Sequence, residues 1–126
     1  MSSLRTDRVR ITATFKRKEG VSKEDFESFW LNEHPKLFNS LDVVQKNILK
    51  YEQAHANEAV SKAIANAGLA VSPFDAMAVI EAASFEDIMA VFTNDEYRKT
   101  VGVESLKYFE RGGHMFASSF ATIIDH

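Results

Sequence analysis

Strict alternation of apolar and polar side chains in residues 9–15 is the strongest constraint on how this chain folds. The apolar positions are Val9, Ile11, Ala13 and Phe15, and the polar ones are Arg10, Thr12 and Thr14. Successive side chains of a β-strand point to opposite faces of its sheet, so the pattern predicts a strand with one buried and one polar face. Such a strand is stable only with neighbouring strands and a layer over its apolar face.

Helices and further strands follow in a regular order. Ser22 with Asp25, and Ser84 with Asp87, have the spacing of an N-terminal capping box. The predicted elements are a strand at 9–15, a helix from Ser22, a strand at 45–54, a helix at 56–67 closed by Gly68, a strand at 74–82, a helix from Ser84, a helix from Asn94 or Asp95 to about Phe109, and a strand at 115–124.

This order predicts a single α+β domain over residues 1–126, because 126 residues are too few for two ordinary cores. We expect a ferredoxin-like split βαβ sandwich, in which helices cover one face of a four-stranded antiparallel sheet. No part of the chain is left to cover the other face. We therefore expect a homodimer in which the two sheets pack against each other.

A histidine and a proline interrupt the apolar stripe of the first predicted helix. In FWLNEHPKLF, residues 29–38, His34 lies among aromatic side chains and Pro35 follows it directly. Proline donates no N–H and disfavours helical geometry in the residue before it, so we expect the helix to bend or restart at His34. A lone histidine on such a stripe is usually a hydrogen-bonded core residue. The alternative is a base whose pKa is lowered by burial.

Composition excludes several kinds of chemistry. The chain has no cysteine, which leaves its four histidines as the main proton carriers near neutral pH. A net charge of −3 with scattered Lys and Arg gives no basic face for nucleic acid or a membrane surface. No histidine spacing typical of a metal site and no nucleotide-binding motif is present, so we expect neither a metal nor a cofactor. Since no signal peptide or membrane-spanning run is recognisable, we expect a cytoplasmic protein.

Three stretches carry a resemblance to a known family. KEGVSKEDFESFWLNEHPKLF resembles the opening of EthD-type proteins of the dimeric α+β barrel superfamily. KYEQAH is similar to that family's second strand, and FDAMAVIEAASFEDIMAVFTNDEY to its third strand and the following helix. The resemblance covers about residues 8–124 and is strongest to small fungal enzymes that tailor polyketide acids. It implies a dimeric α+β barrel that works as a cofactor-free decarboxylase or dehydratase.

Nine residues are candidates for a site. The resemblance favours His34 as a catalytic base, and Tyr51 and His55 share one face of the second predicted strand. His114 follows two glycines and is a further candidate, although such sequences are usually turns. The catalytic candidates are His34, His55, Tyr51 and His114. The substrate-binding candidates are Phe29, Trp30, Asn47, Gln53 and Asp75, the last because a carboxylate could orient a histidine.

The predicted function is a cofactor-independent lyase acting on an aromatic polyketide acid in secondary metabolism. Ten Phe, three Tyr and one Trp are enough to line a cavity for such a flat ligand. Histidines would serve as general acid and base. A polyketide cyclase, a cofactor-free monooxygenase and a non-catalytic dimeric binding protein for aromatic compounds are the alternatives.

Overall fold

Four antiparallel strands form one sheet in the order β2-β3-β1-β4 in a computed structural model, which describes residues 3–126. The strands are β1 (Val9–Phe15), β2 (Ile48–His55), β3 (Ala76–Ala82) and β4 (His114–Ser118). β1 pairs with β3 and β4, and β2 pairs with β3. Two interleaved βαβ units with this strand order make the ferredoxin-like fold. The predicted fold is confirmed.

Short helical segments connect the strands. They are α1 (Lys23–Ser28), a π-helical turn (Phe29–Glu33), α2 (His34–Asn39), α3 (Asp42–Asn47), α4 (Glu58–Asn66), α5 (Phe85–Phe92), α6 (Asp95–Tyr97), a second π-helical turn (Arg98–Gly102) and α7 (Val103–Ser105). Both predicted capping serines accept the expected bond. The Ser22 hydroxyl accepts from the N–H of Asp25, and that of Ser84 from the N–H of Asp87.

Three predicted strand boundaries are wrong because strands end where their partners end. Residues 45–47 belong to α3, and β2 begins at Ile48, opposite the last residue of β3, Ala82. The third strand begins at Ala76 and not at residue 74. The fourth covers 114–118 and not 115–124, since Ser118 is paired with Arg10 near the start of β1.

The helices cover the face of the sheet that the alternation in β1 predicts to be apolar. Ile11 and Ala13 are buried there, and the register places Ala13 beside Ala78 of β3. Tyr51 and Gln53 of β2 lie opposite Ile80 and Ala78, and so point to the same side. The polar row of β2 is therefore brought under the helical layer.

The opposite face, which we call the open face, points away from the helices. It carries Thr12, Thr14, Met77, Val79, Phe116 and the charged residues Arg10 and Glu81. Phe116 is 68% exposed, whereas Glu81 is fully buried. Arg10 and Arg8 donate to the Glu81 carboxylate at 2.7 and 3.1 Å. Burial alone would raise the pKa of Glu81, but the hydrogen bonds from the two arginines and the nearby positive charges together outweigh burial and lower the pKa.

Across residues 3–126, none of the helices has the length and apolar character needed to cross a membrane.

Candidate active site

A π-helical turn accommodates Pro35 and leaves one carbonyl oxygen without a backbone donor. The N–H of His34 bonds to the carbonyl of Phe29, five residues back. The next donor in that pattern would be residue 35, which is proline and has no N–H, so the Trp30 carbonyl receives none. His34 keeps helical dihedral angles of −56° and −46°. The helix restarts at His34 as expected, since α1 passes into the π turn and α2 begins at His34. His34 itself stays helical because the wider π turn absorbs the missing bond.

The Gln53 side chain supplies the missing donor. Its Nε2 lies 2.6 Å from the Trp30 carbonyl oxygen and 2.6 Å from the Tyr51 hydroxyl. Rotating the amide by 180° would place its oxygen against a carbonyl oxygen, which is repulsive. The Trp30 carbonyl therefore fixes which end of the Gln53 amide faces Tyr51.

This orientation determines where the proton of Tyr51 points. The Tyr51 oxygen accepts a hydrogen bond from Gln53, and it lies 2.8 Å from Nδ1 of His34. We assign the Tyr51 O–H as the donor and Nδ1 as the acceptor. The proton of neutral His34 is then on Nε2, the nitrogen that has no hydrogen-bond partner among residues 3–126. His34 thus offers a donor, and not a lone pair, to a ligand.

Burial keeps both members of this pair neutral. It lowers the pKa of His34 to about 4 and raises the pKa of Tyr51 to about 12. The His34 ring lies against the ring of Phe38 with centroids 5.7 Å apart and an interplanar angle of 18°. Near pH 7 the pair is an uncharged hydrogen-bonded unit, as expected for a desolvated site.

The pair opens onto a cavity of about 390 Å³, which we call the main cavity. Its walls come from the helix-facing side of the sheet and from the helices above it. The lining residues are Ala13, Phe15, Trp30, His34, Phe38, Tyr51, Ala78, Ile80, Phe92, Tyr97, Ser105, Leu106, Phe109, Glu110, Arg111, Gly112, Gly113 and Met115. Most of these are apolar, and the volume suits a bicyclic or tricyclic aromatic ligand.

His55 does not line the main cavity. Its Nε2 donates to Oε1 of Gln53 at 2.8 Å, and its ring lies 4.5 Å from that of Trp30. It faces a separate side cavity of about 300 Å³ next to α4. His55 is therefore joined to His34 only through Gln53 and Tyr51. The expected convergence of histidines on one cavity is wrong, because alternate β2 positions beyond Gln53 extend past the main cavity.

Five other candidates are not in the wall of the main cavity: Gln53, Phe29, Asn47, Asp75 and His114. Asn47 ends α3, and its side-chain amide donates to the Val43 carbonyl. Asp75 accepts the N–H of Arg17 at 2.7 Å and bonds to no histidine in the described part of the chain. His114 is exposed on β4 with its ring edge-on to Phe74.

Phe29 is a core residue. Its ring stacks on Tyr108 at 4.1 Å, and only its neighbour Trp30 reaches the main cavity. Phe29 and Trp30 both pack against Phe109, with ring centroids 6.5 and 6.1 Å from it, so they share one aromatic core although only Trp30 borders the cavity.

Sequence reasoning missed Phe38, Tyr97 and Arg111 in the wall. Phe38 lies four residues after His34, a spacing that places both on one helix face and could have found it. Tyr97 and Arg111 come from segments whose position depends on tertiary packing, and no local signal marks them. Within residues 3–126, no group of three His, Asp or Glu side chains lies close enough together to hold a metal ion.

Comparison with known families assigns the chain. Residues 18–112 match the EthD domain family, which is well over half of the sequence. The chain is a member of the EthD family. No curated protein sequence shows significant similarity to it.

Several solved structures share the fold of this EthD protein. An EthD family protein from Bacillus halodurans aligns with a TM-score of 0.61 at 14% identity, covering 90% of this chain and 98% of its own. A dimeric protein of unknown function from Bacteroides fragilis aligns with a TM-score of 0.62 at 15% identity, covering 94% of this chain and 100% of its own. Hydroxynitrile lyase from Passiflora edulis aligns with a TM-score of 0.61 at 10% identity, covering 92% of this chain and 95% of its own. At these identities the likeness concerns the fold.

The depressed pKa of His34 predicts a stability loss in acid. The folded-state pKa is about 4 and the ordinary value is 6.5, so between these pH values the unfolded chain binds the proton that the folded one does not. The free energy of unfolding should therefore fall as the pH is lowered from 6.5 towards 4, by about 2 kcal/mol at pH 4.5. Urea unfolding of the wild type and of His34→Gln measures this contribution as the difference between their pH profiles. Parallel profiles would contradict the burial argument.

Proposed function

We propose that this EthD protein is a cofactor-independent lyase that decarboxylates an aromatic β-keto acid of polyketide type. The observation that carries the proposal is the neutral His34–Tyr51 pair, which presents an N–H donor inside an apolar cavity. Support of a weaker kind comes from the resemblance of the sequence to polyketide-tailoring enzymes. A lyase, the Passiflora hydroxynitrile lyase, also has this fold.

Decarboxylation of a β-keto acid needs its ketone oxygen to accept electrons. The bond between the carboxylate and the adjacent carbon breaks, CO2 leaves, and the electron pair moves to the ketone oxygen as an enolate. A donor placed at that oxygen stabilises the charge as it develops. The enolate carbon then takes a proton from water to give the ketone.

His34 is suited to this step as a neutral hydrogen-bond donor. Its Nε2–H would bond to the ketone oxygen, while the Tyr51 O–H on Nδ1 holds the ring in one tautomer. Full proton transfer is not required, and the pKa of Tyr51 near 12 opposes passing a proton along the pair. A neutral imidazole acting as electrophile is known in enzymes that stabilise enolates.

The same tautomer favours decarboxylation over dehydration. Loss of water from a β-hydroxy compound begins with a base that removes the proton next to the carbonyl. The lone pair on Nδ1 of His34 accepts the hydrogen bond from the Tyr51 hydroxyl, and Tyr51 keeps its proton at neutral pH. Neither side chain offers a base to the cavity in this arrangement.

The apolar cavity also fits a non-catalytic carrier of aromatic compounds. A carrier would use the same wall, including Trp30 and Phe38, but would have no need for a fixed His34 tautomer. Turnover separates the two functions.

Turnover of benzoylacetate tests the lyase. We expect the wild type to release CO2 and acetophenone faster than the uncatalysed reaction, and His34→Ala to lose about 10²–10³-fold in kcat, the usual effect of deleting one such donor. Tyr51→Phe should lose less, because the Nε2–H remains available. The matched control is His126→Ala, which removes the exposed histidine at the chain end. Wild-type protein that binds the acid without accelerating its decay, or His34→Ala with full activity, would contradict the proposal.

We also propose that the functional unit is a homodimer joined through the open face. Met77 and Phe116 are exposed there, at 38% and 68%. Val79 lies on the same face of β3 as Met77, in one row with Thr12 of β1 and Phe116 of β4. Pairing with Arg8 and Arg10 neutralises Glu81 within the chain, so its charge does not oppose a second sheet. The Bacteroides structure with this fold is dimeric.

Sedimentation analysis of Phe116→Asp tests the dimer. The wild type should sediment as two chains and the variant as one, because the added carboxylate would have to be buried between the sheets. Val103→Asp is the control, since Val103 is 51% exposed on α7 in the helical layer. A monomeric wild type, or an unchanged dimer in Phe116→Asp, would exclude this interface.

A further inference from the structure

A single cationic side chain borders the main cavity. Arg111 is the one lysine or arginine among the residues that line it. Its guanidinium makes no ion pair within residues 3–126, whereas Arg5, Arg8 and Arg10 are all paired with carboxylates. An unpaired guanidinium beside an apolar cavity is an available bidentate donor for an anionic group.

The backbone on both sides of Arg111 is anchored to the end of β1 and to Lys16, the residue after it. The N–H of Glu110 donates to the carbonyl of Lys16 at 2.9 Å. Gly113 lies so close to β1 that an added Cβ would meet the Phe15 ring at 2.7 Å and the Thr14 carbonyl at 2.8 Å. Between them, Gly112 turns the chain with a φ of +90°, which a side chain would disfavour. Arg111 is thus held at the cavity by its neighbours.

We infer that Arg111 is the specificity residue that binds the carboxylate of an aromatic acid, with the aromatic body in the main cavity. This rests on the proposed lyase function for the substrate class but concerns a different interaction. Apart from Arg111 and Glu110, no charged side chain among residues 3–126 lines the cavity at neutral pH. Arg111 is therefore the one group among these lining residues whose charge favours an acid over a neutral ligand.

An exposed position suits this role in a decarboxylase. A buried ion pair would stabilise the substrate carboxylate and slow its departure, since only interactions stronger in the transition state raise kcat. Arg111 is exposed, so the pair is screened by water and is modest in strength. The neutral ketone that remains after CO2 leaves has lost this contact, which favours exchange of product for a new acid.

Glu110 also borders the cavity and opposes this preference. Its carboxylate makes no ion pair with Arg111 within 4 Å in the described part of the chain, so the guanidinium stays available. Removing the charge of Glu110 should strengthen binding of an acid, the reverse of removing the charge of Arg111. The two neighbours therefore provide opposite tests of one electrostatic argument.

Paired binding of 2-naphthoate and 2-naphthamide tests the inference, followed by the indole N–H signal of Trp30, the one tryptophan. The wild type should bind the acid about 3- to 5-fold more tightly than the amide. Arg111→Gln should abolish that ratio, Glu110→Gln should increase it, and Arg98→Gln, an exposed arginine outside the cavity, should preserve it. A wild type without a preference, or Arg111→Gln with an intact one, overturns the inference.

A kinetic measurement distinguishes failure of the Arg111 inference from failure of the proposed lyase function. With benzoylacetate, Arg111→Gln should raise KM about 3- to 5-fold and leave kcat nearly unchanged, the pattern of a lost ground-state contact. An equal fall in kcat and kcat/KM would overturn the role of Arg111. If no decarboxylation occurs, the naphthoate preference still decides the role of Arg111 in binding.

Discussion

The hydrogen bond from the Gln53 amide to the Trp30 carbonyl is the interaction on which the site depends. It exists because Pro35 cannot donate to that carbonyl, and the helix widens into a π turn at the same point. The carbonyl left without a backbone donor in the helix is thereby hydrogen-bonded by a side chain from β2. The bond joins the two layers of the fold beside the cavity. It also fixes which group donates at each step of the hydrogen-bond series His55–Gln53–Tyr51–His34.

The chemistry follows from that direction. With the Tyr51 proton committed to Nδ1, His34 faces the cavity as a donor of fixed tautomer, and burial keeps it uncharged near neutral pH. Such a group stabilises a developing enolate without accepting or releasing a full proton. Arg111 at the same cavity would select the acid that decays to this enolate, so binding and chemistry are assigned to different residues.

Much of the fold was predictable from local patterns. The alternation at Val9–Phe15 and the capping serines Ser22 and Ser84 each specify an element through contacts within a few residues. The end of β4 was not predictable, because it depends on how far β1 extends beside it. In the site, Tyr51 and Gln53 were singled out by the alternation along β2, and His34 by the family resemblance. Gln53 contacts Trp30 and Tyr51 and is not in the cavity wall. Arg111 was not singled out, because its position depends on contacts of Glu110 and Gly113 with residues 14–16, which lie far away in the sequence.

The tautomer of His34 is the most direct test, and nitrogen NMR of histidine-labelled protein at pH 7 measures it. The account predicts a protonated Nε2 and an unprotonated Nδ1 in the wild type. In Gln53→Leu, which removes the amide but keeps a similar shape, Tyr51 is free to accept from His34, and signals of the Nδ1–H form should appear. A wild type protonated on Nδ1, or a Gln53→Leu spectrum identical to it, would contradict the account.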